Sequence, residues 1–239
     1  MRRTRVRHVP EFREVIYDES HWRLLRELRS QALGIMSIFA SSGIEAWLHG
    51  SVARGDVAAD SDIDIVIPTR IPAYLVESLL EKHNLKPRSR YIVVATPTST
   101  PKAVIVLDDY ERRVISFPLL DFKPQELEFY KFGGYLRYHD LLGDKRVPGV
   151  NKRLVLIKPT PTGHEELPVI GWEDYVARLL GVSIDVVLER VKVLSRRDEV
   201  GRTGIFAKTA LLPGESFEEA LERLFREKKL LWRIHGLTN

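Results

Sequence analysis

From His49 to Ile67 the chain reads His-Gly-Ser-Val-Ala-Arg-Gly-Asp-Val-Ala-Ala-Asp-Ser-Asp-Ile-Asp-Ile-Val-Ile, a stretch that gathers residue types suited to phosphate and divalent cations. Gly50 has no Cβ, so backbone there can come close to a ligand. Ser51 adds a hydroxyl donor. Turn amides leading into a helix N-terminus form an anion-binding concavity, and Arg54, three residues on, is placed to hold phosphate. Asp62 and Asp64 lie two apart on a strand-like run, so both carboxylates point to one face while Ile63, Ile65 and Ile67 point to a core. Paired carboxylates at a strand end suit hard, oxygen-seeking ions such as Mg²⁺ or Mn²⁺. A phosphate cradle beside such a site is the equipment for phosphoryl or nucleotidyl transfer.

Other elements have to hold these groups in place. Asp18 or Ser20 caps a helix running to about Ser42, with Trp22, Leu25, Leu28, Ala32, Ile35, Ile38 and Phe39 at three-and-four spacing and Gly43 ending it. Ile44–His49 reads as the strand entering the Gly-Ser turn, Val52–Gly55 as a short helix over the phosphate site, and Ser61–Ile67 as the aspartate strand, stopped by Pro68. A helix over Ala73–His83 and strands over Tyr91–Thr96, Ala103–Leu107 and Arg113–Leu120 follow. The aromatic-rich segment Leu127–Tyr138, interrupted by Gly133-Gly134, reads as packing more readily than as a base-stacking surface.

The Gly50-Ser51 turn, ten intervening residues and then Asp62-Ile63-Asp64-Ile65 resemble the polymerase-beta-type nucleotidyltransferase superfamily, in a form close to its minimal prokaryotic members. The resemblance spans about residues 20–125. It implies a palm-like α/β core that binds a nucleoside triphosphate (NTP) as substrate and moves a nucleoside monophosphate to a hydroxyl of a protein, RNA or small molecule. Gly50, Ser51 and Arg54 would then bind the nucleotide, and Asp62 and Asp64 the metal. Members of the family usually carry a third carboxylate after a basic pair. Here Arg112-Arg113 is followed by Val114-Ile115-Ser116-Phe117, which puts Ile115, or Ser116 on a one-residue slip, where an Asp is expected. Among the nearby acids Asp108, Asp109 and Asp121, Asp121 at the end of the strand is the best substitute, so the expected catalytic set is Asp62, Asp64 and Asp121.

Composition narrows the setting. With no cysteine, disulfides and thiolate zinc sites are excluded. No apolar run approaches the length of a membrane span, and no apolar segment follows the basic start Met-Arg-Arg-Thr-Arg-Val-Arg, so the expected location is the cytoplasm. Charged residues make up 29% and Gln and Asn are sparse, a pattern expected of a thermophile. A net charge of +4 favours an anionic partner, for which a nucleotide serves as well as a nucleic acid.

Gly143–Asn151, polar with Gly and Pro, is the expected boundary between two domains. A strand over Arg153–Lys158 follows. In 172–194, Ala177, Gly181 and Val187 have the spacing of a helix-turn-helix, with Ser183 capping its second helix. Arg196–Gly204 and Ile205–Leu211 would form a wing. Asp185 and Glu189 on the exposed face argue against a DNA groove and for a helical hairpin packed on the palm. Ser216 and Glu219 form a capping box opening an amphipathic helix to His235.

The fold class expected is therefore α/β (α+β). A nucleotidyltransferase palm-like mixed sheet would occupy 1–143, and a smaller, mostly helical, helix-turn-helix or winged-helix-like domain 152–239. Nucleic acid, a protein acceptor, a partner chain and a second copy remain open as partners. The rival reading is a nucleic-acid-binding regulator that keeps a degenerate nucleotidyltransferase fold.

Overall fold

A computed structural model describes residue 6, residues 12–201 and residues 204–228. Most of the Arg-rich N-terminal stretch, Arg202 and Thr203 of the expected wing, and the cationic end of the last helix lie outside the described residues.

The alternation read at 62–67 produces the centre of the fold. Strand β3 (Ile63–Val66) lies between β2 (Trp47–His49) and β6 (Arg113–Pro118) in a seven-stranded mixed sheet. The sheet is completed by β4 (Ser89–Val94), β5 (Lys102–Val106), β7 (Tyr135–Arg137) and β11 (Ala207–Ala210), in the order β11-β4-β5-β6-β3-β2-β7. Only β3 and β6 run parallel; every other neighbouring pair is antiparallel.

One face of this sheet is apolar. Leu48, Ile63, Ile65, Ile92, Ile105 and Ile115 are each at most 1% exposed, and they pack against helices on that side. The main one is α1 (Glu19–Ala40), whose N-cap Asp18 accepts from the His21 N–H at 2.8 Å. Its apolar stripe Leu25, Ala32, Ile35, Met36 and Phe39 is buried, as three-and-four spacing requires. Helices α2 (Ser51–Arg54), α3 (Ala73–Lys82) and α5 (Tyr138–Leu142) lie in the same layer.

A second, four-stranded antiparallel sheet has the order β1-β10-β9-β8, from β1 (Arg13–Ile16), β8 (Gly149–Val150), β9 (Val155–Thr160) and β10 (Gly163–Pro168). It shares a core with α6 (Glu173–Leu180) and α7 (Ile184–Val200), built from Leu154, Leu156, Val169, Val176 and Val187. Gly181, left-handed at φ 62, joins the two helices, and Ala177 and Val187 are buried between them as their spacing implied. Helix α4 (Pro124–Gly133) bridges the two units. Its Tyr130 belongs to a cluster with Trp47 and Val66 of the large sheet, and its Phe132 to the core of the small one.

The chain does not sort into the two expected sequence blocks. Strand β1 pairs with β10 in the second sheet, Val15 opposite His164. Residues 207–210, expected as part of a wing, instead extend the large sheet beside β4, Ala207 opposite Val94. Helix α8 (Phe217–Lys228) packs under that sheet, with Phe217, Ala220 and Leu224 fully buried and Phe217 edge-on to Phe117 at 5.7 Å. Two physical demands account for the return: β4 would otherwise be an open edge, and the apolar face of α8 needs a partner. The capping box is present, the Ser216 N–H donating to Glu219 at 2.9 Å and the Glu219 N–H to the Ser216 hydroxyl at 3.2 Å. Among the described residues, no helix is long and apolar enough to cross a membrane.

Candidate active site

Register places the candidate residues. Asp64 stands opposite His49 on β2 and level with Val114 on β6. Side chains level in adjacent strands share a face. Trp47, His49, Asp64, Val66, Val114, Ser116, Val104 and Lys102 therefore line the face turned away from α1, and Asp62, two residues before Asp64, shares it. Part of that face is covered by α4, whose Tyr130 meets His49 edge-on at 5.3 Å. A depression lined by Ser41, His83 and His139 lies in the helix layer on the other side of the sheet.

The two carboxylates are electrostatically stressed. Burial, and then repulsion from Asp62, push Asp64 up to about 6. Burial likewise raises Asp62, Asp60 repels it further, and Lys152 draws it back. Lys152 and Lys102 also favour the ionised form of Asp64. Beside them, burial and then the charges of Arg54, Lys102, Lys152 and Arg190 hold His49 down to about 3, so its imidazole is neutral at physiological pH.

The Gly-Ser turn is a built feature. Gly50 sits at φ 89 and ψ −146, a conformation open essentially only to glycine. Its N–H donates to the Gly134 carbonyl at 3.0 Å, and its carbonyl accepts from the Ala53 and Arg54 N–H groups, opening α2. Ser51 is half-buried and donates to the Ser61 hydroxyl at 3.1 Å, joining the turn to the loop that carries Asp62. From α1, buried Arg29 donates to the Val52 and Ala53 carbonyls at 3.2 Å each, to the Lys145 carbonyl at 2.7 Å and to Asp144 at 2.8 Å. These bonds anchor α2 from behind. The Gly133-Gly134 pair, which in the sequence only interrupted an aromatic run, presses on the same turn. A Cβ on Gly133 would lie 2.2 Å from His49 Nε2.

Two expected site residues are placed elsewhere. Arg54 is 5% exposed, and its guanidinium is already used. Its Nε and Nη2 grip Asp56 at 2.9 and 3.0 Å, and Nη1 donates to the Gly133 carbonyl at 2.6 Å. The expected phosphate ligand is thus a structural clamp, because a buried guanidinium has to satisfy its donors internally. Asp121 is exposed and remote. Strand β6 runs parallel to β3, so from Val114, level with Asp64, it travels about 13 Å away from the pair before ending at Pro118, at about 3.3 Å per residue. Asp121 lies three residues further on, its carbonyl accepting from the Thr100 hydroxyl at 3.2 Å. Two further acids act on Asp62 through their charge, Asp60 more strongly and then Asp108. The Asp108 carboxylate is taken up by the Tyr110 and Arg112 N–H groups at 3.0 and 2.9 Å and by Arg113 at 3.0 Å. Ile115 faces the core and is fully buried. The residue beside Asp64 is Val114. Among the described residues no group of three or more His, Cys, Asp or Glu side chains is arranged to hold a metal.

Sequence reading missed Lys102, Lys152 and His49. Lys152 follows β8 of the second sheet, and nothing in the local run Asn151-Lys152-Arg153 distinguishes it from a solvated turn. His49 carried one usable signal, its position directly before Gly50 on the strand that pairs with the aspartate strand.

The segment 29–117 matches the family model described as a nucleotidyltransferase domain. The match runs from Arg29 of α1 to Phe117 of β6. It therefore contains Gly50, Ser51, Asp62 and Asp64 and ends before Asp121. No curated protein and no solved structure matches the chain. The match supports the nucleotidyltransferase superfamily for residues 29–117, and nucleotidyl transfer as the general activity.

Proposed function

We propose that this nucleotidyltransferase domain binds a nucleoside triphosphate with a divalent cation at Asp62 and Asp64, and transfers the nucleoside monophosphate to an acceptor hydroxyl of a protein, RNA or small molecule. The observation that carries the reading is Asp64 itself. It is a half-buried carboxylate pushed up to about 6, with a second carboxylate on the same strand face and the Gly50-Ser51 turn at the end of the neighbouring strand. Keeping two like charges together in a partly buried place costs stability unless a cation joins them.

The donor set fits Mg²⁺ or Mn²⁺. Both carboxylates are hard oxygen ligands, and Mg²⁺ is typically held by one or two carboxylates with substrate phosphates and water completing its shell. Asp62 and Asp64 would hold the ion, which when bound offsets the negative charge of the triphosphate and of departing pyrophosphate. The Ser51 hydroxyl, one donor bond from the Asp62 loop, is placed to bond a phosphate oxygen. Gly50 lets that phosphate approach the backbone. Arg29 and Arg54 keep the turn in its conformation, their donors taken by Val52, Gly133 and Asp56. In the transfer, a bond forms between the acceptor oxygen and the α-phosphorus while the bond from that phosphorus to the bridging oxygen breaks; pyrophosphate leaves with the electron pair, and the acceptor hydroxyl gives up its proton to water.

One observation favours a second reading, a domain that binds nucleotide without turning it over and serves regulation. The position beside Asp64 that a third carboxylate would fill holds Val114, so the acceptor hydroxyl meets no acid there. The same reading would use the α6–α7 hairpin on nucleic acid. Against that part stands the first turn of α7, where the Ser183 N–H and hydroxyl donate to Glu128 of α4 at 2.8 and 2.5 Å. A recognition helix presents that turn to bases.

The experiment is calorimetry with Mg²⁺ and a non-hydrolysable triphosphate, paired with an assay of pyrophosphate release on hydrolysable NTPs. Binding that is lost in the Asp62→Asn/Asp64→Asn variant, with pyrophosphate release, supports the transferase. Binding without release supports the second reading. Unchanged binding in that double variant rejects both.

A further inference from the structure

The site as read so far has two carboxylates and no free cation to meet a triphosphate, because Arg54 is committed to Asp56 and Gly133. Cations do converge on it, from outside the Gly-Ser turn. Lys102, on β5, shares the Asp64 face of the sheet, with its Nζ 3.4 Å from the Tyr130 hydroxyl. Lys152 arrives from the second sheet, and packing fixes how. A Cβ on Gly149, at the start of β8, would lie 2.6 Å from the Gly133 backbone, and one on Gly133 would lie 2.2 Å from His49. The β8 strand is thus pressed through Gly133 onto the residue facing Asp64, and Lys152 is the second residue beyond β8. Lys152 is exposed and makes no hydrogen bond or ion pair among the described residues. Its charge is nonetheless felt at Asp62, Asp64 and His49. On the far side, Arg190 of α7 lies 5.0 Å over Phe129, whose ring is 5.7 Å from that of His49, and its Nε is buried with no partner.

We infer that Lys152, carried in by the second sheet, and Lys102 together bind the phosphates of the nucleotide held at Asp62 and Asp64. The inference rests on the proposed triphosphate site and names the groups that select a polyphosphate there. An exposed lysine whose charge reaches two carboxylates, with no ion pair to either, can share an anion with the cation they hold, and a compact ammonium suits a phosphate oxygen. The physical consequence is that the nucleotide site is complete only when the two sheets are packed together. That gives a role to the close Gly149–Gly133–His49 stack.

The test is calorimetry with Mg²⁺ on the full chain, using a non-hydrolysable nucleoside triphosphate and the matching monophosphate. The variants are Lys152→Ala, Lys152→Arg and, as a surface control, Lys86→Ala. Lys152→Ala should bind the triphosphate about tenfold or more weaker, the size of a lost charge-assisted contact. Its affinity for the monophosphate should change far less, Lys152→Arg should recover most of the loss, and Lys86→Ala should match the parent. A merely structural lysine would lower both affinities alike. If the parent binds the triphosphate and Lys152→Ala binds it equally well, the inference is overturned while the Asp62–Asp64 reading stands. If the parent binds no triphosphate, that reading falls and the inference falls with it.

Discussion

Asp64→Asn should make the nucleotide-free protein more stable while removing its metal-dependent function. The substitution keeps the shape and deletes the charge. In the folded protein Asp64 is pushed up to about 6 from an ordinary carboxylate value of 3.8, through burial and then repulsion from Asp62. The sign follows from proton counts. Between the two values the folded state holds a proton that the unfolded state has released, so stability falls as pH rises through this window. Above it both states are ionised and the full cost is in place. A shift of about two units corresponds to about 3 kcal/mol at 1.36 kcal/mol per unit. The variant lacks this cost. Its stability relative to the parent should be near zero or slightly unfavourable at pH 4, climb between pH 4 and 6, and level off about 1–3 kcal/mol above the parent near pH 7.5. Urea unfolding of both proteins in the same buffers, without divalent ions, measures the difference directly; subtraction cancels the titrating groups that Asp64 does not act on, and the relief of Asp62 adds to the gain in the same direction. Adding Mg²⁺ should stabilise the parent, because a ligand that binds only the folded state does so by mass action, and should do so less for the variant. A stability difference that is flat from pH 4 to 7.5, or a variant less stable than the parent at neutral pH, would refute the account of a stressed carboxylate pair.

Other outcomes follow from the same geometry. Arg54→Ala leaves half-buried Asp56 without its fork and the Gly133 carbonyl without a donor, so it should cost about 2–4 kcal/mol in thermal or urea unfolding; a stable protein with only weakened nucleotide binding would return Arg54 to the phosphates. Gly133→Ala drives a methyl into His49 and should cost about 1–3 kcal/mol. His49→Ala should then cost less in the Gly133→Ala background than alone, and additive unfolding energies would show that the clash is relieved elsewhere. Phe217→Ala, about 100 positions beyond its partner Phe117, should cost about 3–5 kcal/mol. A fragment of residues 1–143, lacking β11 and α8, should therefore fail to show a cooperative unfolding transition by circular dichroism.

What could be read along the chain is what depends on neighbours in sequence. The period-two pattern at 62–67 put Ile63 and Ile65 in the core and both aspartates on the opposite face, because side-chain alternation is a local property of an extended backbone. The three-and-four stripe of α1, the Asp18 cap, the Ser216–Glu219 box and the turn at Gly181 are equally local, and each stands where its residues placed it. What could not be read depends on which distant groups arrive. Arg54 and a phosphate-binding arginine look the same in sequence; Asp56 and the Gly133 carbonyl, 79 positions away, decide between them. Asp121 ended the right strand, but only the parallel register of β3 and β6 reveals that this end points away from Asp64. The same register puts Val114, not Ile115, beside Asp64. Likewise β4 takes its last neighbour from residues 207–210, over 100 positions later, because an open strand edge accepts any extended segment with matching donors and acceptors. Lys152 carries no local mark at all. Its charge acts on Asp62 and Asp64 where the second sheet packs through Gly149 onto Gly133 of α4, and long-range packing of that kind leaves no period in the sequence.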